Sequence, residues 1–130
     1  MKAFFDTNIL IYAQEQGAKA DKARALLAAG GVLSVQVLNE FAAVARRKLG
    51  KNWREIGEAV DDALTLVDPP LPLTIALHTA ARALADDHKV SFYDALIVAA
   101  ALEAGCETLI SEDLQDGRAF GELRIVNPFA

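Results

Sequence analysis

The chain has 130 residues, 53% of them hydrophobic and 24% charged, which suits one folded domain with a real core (residues 1–130) and excludes a disordered chain. Eighteen acids against thirteen Lys and Arg leave a net charge of −5. That argues against a basic protein that coats nucleic acid, but not against an enzyme that meets phosphates through bound cations.

The elements alternate between strand-like and helix-like. Lys2–Phe5 reads as a short buried strand running into a short helix after Asp6-Thr7-Asn8. A helix over about 19–29 ends at Gly30-Gly31. Val32–Ser34 is a strand, followed by a helix from Val35 to Leu49 with an apolar stripe at Leu38, Phe41, Ala42, Ala45 and Leu49. Asn52 and Glu55 have capping-box spacing for the next helix, whose inward stripe begins at Trp53. Leu66-Val67 is a strand candidate, and Asp68-Pro69-Pro70-Leu71-Pro72 is a turn that cannot be helical inside. Thr74 caps a helix to about Asp87 with Ile75, Leu77, Ala81, Leu84 and Ala85 inward. Ser91 opens a helix to Ala104 that is apolar nearly all round and is expected to be the most buried. Glu107–Ile110 is a strand, 111–121 a loop and Arg124–Val126 a last strand. The pattern predicts an α/β fold, with a central, mostly parallel sheet of four to five short strands and helices on both faces.

Cys106 is the one cysteine, so no intramolecular disulfide forms, and with only His78 and His88 beside it no zinc site is expected. The longest wholly apolar run, Ala95–Leu102, is far short of the ~20 residues of a membrane span. Asp6 and Asn8 interrupt the apolar start and no small-residue cleavage site follows, so a cytoplasmic protein is expected.

Four acids stand at element junctions: Asp6, Glu40, Asp94 and Asp113. Taken singly, each has a structural explanation. Asp6 suits an N-cap, Asp94 lies three residues after Ser91 at capping-box spacing, and Asp113 suits a turn. Glu40 is the hardest to explain this way, because it lies beside the apolar stripe of its helix. Taken together they can face one rim, since ligands of open parallel sheets bind beyond the carboxyl ends of the strands. Carboxylates crowded there need a counter-charge, and Mg²⁺ or Mn²⁺, one or two ions, is the natural one. Two such ions suit attack of water on a phosphodiester.

The stretches Phe4-Phe5-Asp6-Thr7-Asn8-Ile9-Leu10, Leu38-Asn39-Glu40-Phe41, Ser91-Phe92-Tyr93-Asp94-Ala95-Leu96 and Ser111-Glu112-Asp113-Leu114-Gln115-Asp116-Gly117 together resemble the PIN-domain nucleases, and most of all the VapC-type toxins of bacterial toxin–antitoxin pairs. The resemblance runs the length of the chain. It implies a PIN-like fold and a metal-dependent endoribonuclease in which Asp6, Glu40, Asp94 and Asp113 are the metal-binding, catalytic acids. It adds Asp116 as a further acid of some members. Thr7 and Ser111 match hydroxyl positions that orient carboxylates or the scissile phosphate, and Asn8 a supporting polar position. It also implies an RNA substrate, a homodimer and a cognate antitoxin.

Arg46, Arg47 and Lys48, with Lys51 and Arg54, make the one dense basic cluster. It reads either as cations at a helix C-terminus or as a phosphate track for RNA. Phe92 and Tyr93 are read as core, with base stacking as the sharper alternative. Trp53 is read as core or a partner interface. Two other functions remain in view. One is a binding module on the same scaffold without turnover. The other is a phosphatase with an Asp nucleophile, against which Asp6-Thr7-Asn8 lacks the second acid two residues on. No Gly-x-x-x-x-Gly-Lys loop occurs.

Overall fold

A computed structural model describes residues 2–130. In chain order the elements are β1 (Ala3–Phe5), α1 (Thr7–Ala13), α2 (Ala18–Ala28), α3 (Val35–Arg47), α4 (Trp53–Leu64), α5 (Ile75–His88), α6 (Phe92–Glu103), β2 (Thr108–Ile110), β3 (Ala119–Phe120) and β4 (Leu123–Val126). The sheet order is β1-β2-β4-β3, with β1, β2 and β4 parallel and β3 antiparallel to β4.

Consecutive strand residues point to opposite faces. Phe4 and Phe5 are both buried, as are Leu109 and Ile110, so both faces of the sheet are covered, as its parallel strands require. The α6 helix supplies the centre of the core: seven successive residues, Ala95–Ala101, are buried. Its alanines let neighbouring elements approach closely. Gly31 serves the same end at β1, where a Cβ would lie 2.6 Å from the Phe5 ring and 2.7 Å from the Ala3 carbonyl oxygen.

The caps follow the sequence. Asn52 and Glu55 form the reciprocal capping box of α4, and Thr74 and Ser91 cap α5 and α6; Ser34, read as the end of a strand, caps α3. Other expectations need correction. Val32–Ser34 is not a full strand but two parallel bridges, Phe4 to Val32 and Ser34 to Leu71. Leu66-Val67 forms no strand. The Leu66 N–H still turns back to Ala63 at the end of α4, and the pairing residue is Leu71. Between Pro70 and Pro72 it alone keeps an N–H to donate, and it gives that to Leu33. The loop after β2 contains the short strand β3.

Three residues read as inward face solvent. Ile75 opens α5 and is 84% exposed. Trp53 opens α4 and is 64% exposed, with the Arg46 guanidinium over its ring, 5.7 Å from the centroid. Tyr93 is 61% exposed. Each lies in the first turn of its helix, where the side chain projects past the packed body of the fold. Among the described residues no helix is long and apolar enough to cross a membrane.

Candidate functional site

The pairing of the first strand with β2 builds the site. Phe5 registers with Ile110, and the Asp6 N–H continues the ladder to the Ile110 carbonyl at 3.0 Å. Asp6 and Ser111 therefore leave the sheet side by side at the carboxyl ends of their strands. The buried Asp6 carboxylate accepts from the Thr7 N–H at 2.7 Å, from the Ser111 hydroxyl at 2.7 Å and from the Asn8 amide at 3.4 Å. Asp6 is thus the cap its position suggested, but one of its oxygens is spent on Ser111.

Ser111 and Asn8 tie the following loop to this carboxylate. The Ser111 oxygen accepts from the N–H groups of Asp113 (3.1 Å) and Leu114 (3.2 Å). The Asn8 amide donates to Asp113 Oδ2 at 3.2 Å and accepts from the Glu112 N–H at 3.1 Å. Glu40 comes in from α3. Its two oxygens accept from the Thr7 hydroxyl at 2.8 Å and from the Gln36 amide at 3.3 Å. Gln36 is buried and was not singled out in the sequence. The available signal was its place one turn before Glu40, where side chains four apart meet.

Asp94 stands apart. Its N–H donates to the Ser91 hydroxyl at 3.2 Å, but its carboxylate makes no return bond to the Ser91 backbone, so neither oxygen is used in capping. Its neighbour Tyr93 lines the acidic cleft. Asp116 has another task, accepting from the Asn127 N–H at 2.8 Å. Among the described residues, no three His, Cys, Asp or Glu side chains converge as a ready-made metal cage.

The charges are unbalanced. Burial pushes the Asp6 carboxyl up to about 6, against the pull of its Ser111 and Thr7 hydrogen bonds, and the nearby Asp113 and Glu40 charges push the same way. Among the described residues no Lys, Arg or His pairs with Asp6, Glu40, Asp94 or Asp113. The donor set is all oxygen and lacks a cation, which fits a hard divalent ion such as Mg²⁺ or Mn²⁺.

An open cleft of about 770 Å³ is lined by Glu40, Glu112 and Asp113 together with Arg47, Lys48 and Tyr93. Arg46 does not join them, since its guanidinium donates to the Lys51 carbonyl at 3.2 Å and covers Trp53. A further group was missed in the sequence. Glu112 accepts from the Tyr12 hydroxyl at 2.7 Å and pairs with Lys19 at 3.0 Å. Those bonds hold the Glu112 carboxyl below its usual range and raise the Tyr12 hydroxyl. No local pattern marks this trio, because it joins α1, α2 and the loop after β2.

The model of the family described as PIN domain matches residues 3–118. No curated protein matches the chain. Solved structures are similar along nearly its whole length. A toxin–antitoxin complex from Klebsiella pneumoniae has 22% identity and a TM-score of 0.71, over 94% of this chain and 95% of that one. The Mycobacterium tuberculosis toxin VapC20, described as cleaving the sarcin–ricin loop, has 24% identity and a TM-score of 0.71, over 95% and 99%. VapBC2 from Rickettsia felis, bound to a DNA fragment from its promoter, has 17% identity and a TM-score of 0.67, over 96% and 97%. At these identities the likeness is one of fold.

Proposed function

Since the chain belongs to the PIN domain family, we propose that it is a metal-dependent endoribonuclease and the toxin of a toxin–antitoxin pair. The observation that carries the nuclease reading is the uncompensated acid group, Asp6, Glu40 and Asp113, joined through Thr7, Asn8 and Ser111 at the carboxyl ends of parallel strands. In this reading Asp94 is the fourth acid, offered from the N-terminal turn of α6. These four would hold one or two Mg²⁺ or Mn²⁺ ions. When bound, such an ion lowers the pKa of water and stabilises charge on phosphoryl oxygens.

The chain's own residues set the geometry. Ser111 and the Thr7 N–H keep Asp6 oriented and favour its charged form. Thr7 and Gln36 fix both oxygens of Glu40. Asn8 holds Asp113 to the same group. Arg47 and Lys48 line the cleft and suit RNA phosphates that approach an otherwise acidic pocket. No histidine lines the cleft to act as a base. The toxin role and an antitoxin partner are supported by the fold likeness to the Klebsiella and Rickettsia complexes, and the homodimer rests on the sequence resemblance.

The test is Asp6→Asn. With Mg²⁺ or Mn²⁺ the wild-type protein cleaves RNA and the variant, still folded by circular dichroism, does not. Cleavage by the variant at the wild-type rate overturns the metal-site reading. If the wild-type protein binds neither ion at millimolar concentration, a binding module without turnover replaces it.

A further inference from the structure

One face of α3 lines the acidic cleft and continues beyond it. Gln36, Asn39, Glu40 and Ala43 lie at spacings of three and four residues, so they form a single stripe, and Arg47 extends it by another turn. At the far end from Arg47 the stripe forms a second pocket of about 310 Å³, lined by Gln36, Asn39, Glu40, Ala43 and Tyr93. That is at the small end of ligand-sized clefts, roughly 300–1,000 Å³. Glu40, Ala43 and Tyr93 belong to both pockets, so the two adjoin along α3.

The chemistry of the second pocket differs from that of the first. Tyr93 presents an exposed aromatic ring, held edge-on by Phe92 at 5.7 Å between centroids, and Phe92 is in turn braced by His78 at 5.2 Å. Two amides share the lining of the same pocket. Gln36 is buried and gives one N–H to Glu40, which leaves a second N–H and a carbonyl oxygen to offer. Asn39 is exposed. A braced, open ring in one pocket with amide donors and acceptors is a combination that takes up an unpaired nucleobase: stacking on the ring, hydrogen bonds to the base edge.

We propose that Tyr93, Asn39 and Gln36 form a nucleobase subsite that holds the base next to the scissile phosphate. The inference rests on the ribonuclease reading and adds to it that the substrate is single-stranded at the cut. The RNA runs along α3, with a base between Tyr93 and the amides, the scissile phosphate at Glu40 and a following phosphate at Arg47. From Asn39 to Arg47 the helix rises roughly 12 Å, room for the base and the following phosphate to lie along it. The Ala43 side chain is small enough to leave the path open. Gln36 then has two tasks, fixing Glu40 and reading the base, so choice of base and placement of the acid are coupled through one side chain.

The experiment uses a short unstructured RNA carrying 2-aminopurine beside the cleaved bond, with binding followed on the non-cleaving Asp6→Asn protein and cleavage on proteins with Asp6 intact. The expected result is quenching of 2-aminopurine on binding. It persists when Tyr93→Phe is added and is lost with Tyr93→Ala. Tyr93→Ala in the active protein raises KM about 5- to 150-fold, the range of one lost base–aromatic stack, with kcat changed much less. An abasic nucleotide at that position gives the same loss in wild type and no further loss in Tyr93→Ala. Asn39→Ala changes the order of preference among the four bases.

Wild-type KM and quenching in Tyr93→Ala overturn the subsite while the nuclease stands. If the same variant also shifts the protein from dimer to monomer, Tyr93 belongs to a protein interface instead. If the wild-type protein cuts no RNA but Tyr93-dependent quenching remains, the nuclease reading fails and the base subsite survives. Absence of both overturns both.

Discussion

The Ser111 hydroxyl donates to the buried carboxylate of Asp6 at 2.7 Å, across 105 residues of sequence. The same oxygen accepts the N–H groups of Asp113 and Leu114, so one side chain orients one acid and anchors the loop that carries another. Ser111→Ala removes the largest influence favouring the charged form of Asp6 and frees that loop. The expected outcome is a loss of Mg²⁺ affinity on the order of 10- to 100-fold, partly recovered at higher pH, where Asp6 ionises without the hydroxyl. Calorimetric titration of the ion across pH 6–8 checks this.

The raised pKa of Asp6 makes stability depend on pH in a defined direction. Its carboxyl ionises near 3.9 when unfolded and at about 6 when folded, so the native state holds the extra proton between those values. Stability of the metal-free protein therefore falls as pH rises from about 4 to about 6, by roughly 3 kcal/mol from this group, and its contribution is flat above that. Denaturant midpoints of wild type and Asp6→Asn, measured from pH 4 to 8, are expected to show this slope in wild type and lose it in the variant. At limiting Mg²⁺, kcat/KM rises through pH 6 to a plateau.

Tyr12, Lys19 and Glu112 clamp the loop beside Asp113 from outside the acid group. Glu112→Gln keeps the volume and loses the charge that both partners use. The expected outcome is a drop in kcat/KM of about tenfold at limiting metal, lessened at saturating Mg²⁺, with the fold unchanged. Steady-state kinetics at two metal concentrations distinguish this from a residue that touches substrate, whose effect would survive saturation.

Gly31 lies where a Cβ would come within 2.7 Å of backbone and closer still to the Phe5 ring. Gly31→Ala forces the first strand outward, just before Asp6. It is expected to cost about 1–3 kcal/mol of stability, as overpacking does, and to lower activity through displacement of Asp6. Urea unfolding reads the first effect and cleavage of a fixed RNA the second.

Arg47 and Lys48 line the cleft while Arg46 is occupied with Lys51 and Trp53. Replacing Arg47 and Lys48 by Gln is expected to weaken RNA binding and reduce its salt dependence by about two phosphate contacts, with Arg46→Gln leaving that slope unchanged. Binding isotherms at several salt concentrations decide it.

Local signals in the sequence determined what depends on neighbouring residues. The capping box at Asn52 and Glu55, the all-apolar helix after Ser91 and the short strands around Phe4-Phe5 and Leu109-Ile110 were legible because caps, periodicity and breakers act within one or two turns. The acids at element junctions were legible for the same reason. Only the tertiary structure decided which of them meet. The parallel pairing of β1 with β2 sets Asp6 beside Ser111, while Asp94 stands apart in the first turn of α6 and Asp116 turns to Asn127. The exposure of Tyr93 and the Tyr12–Lys19–Glu112 clamp had no sequence signature, since they depend on how elements pack, whereas Gln36, one turn before Glu40 in the same helix, could have been found from its spacing. Spacing along the chain fixes what a residue can reach within its own element, and packing fixes which of those reaches are used.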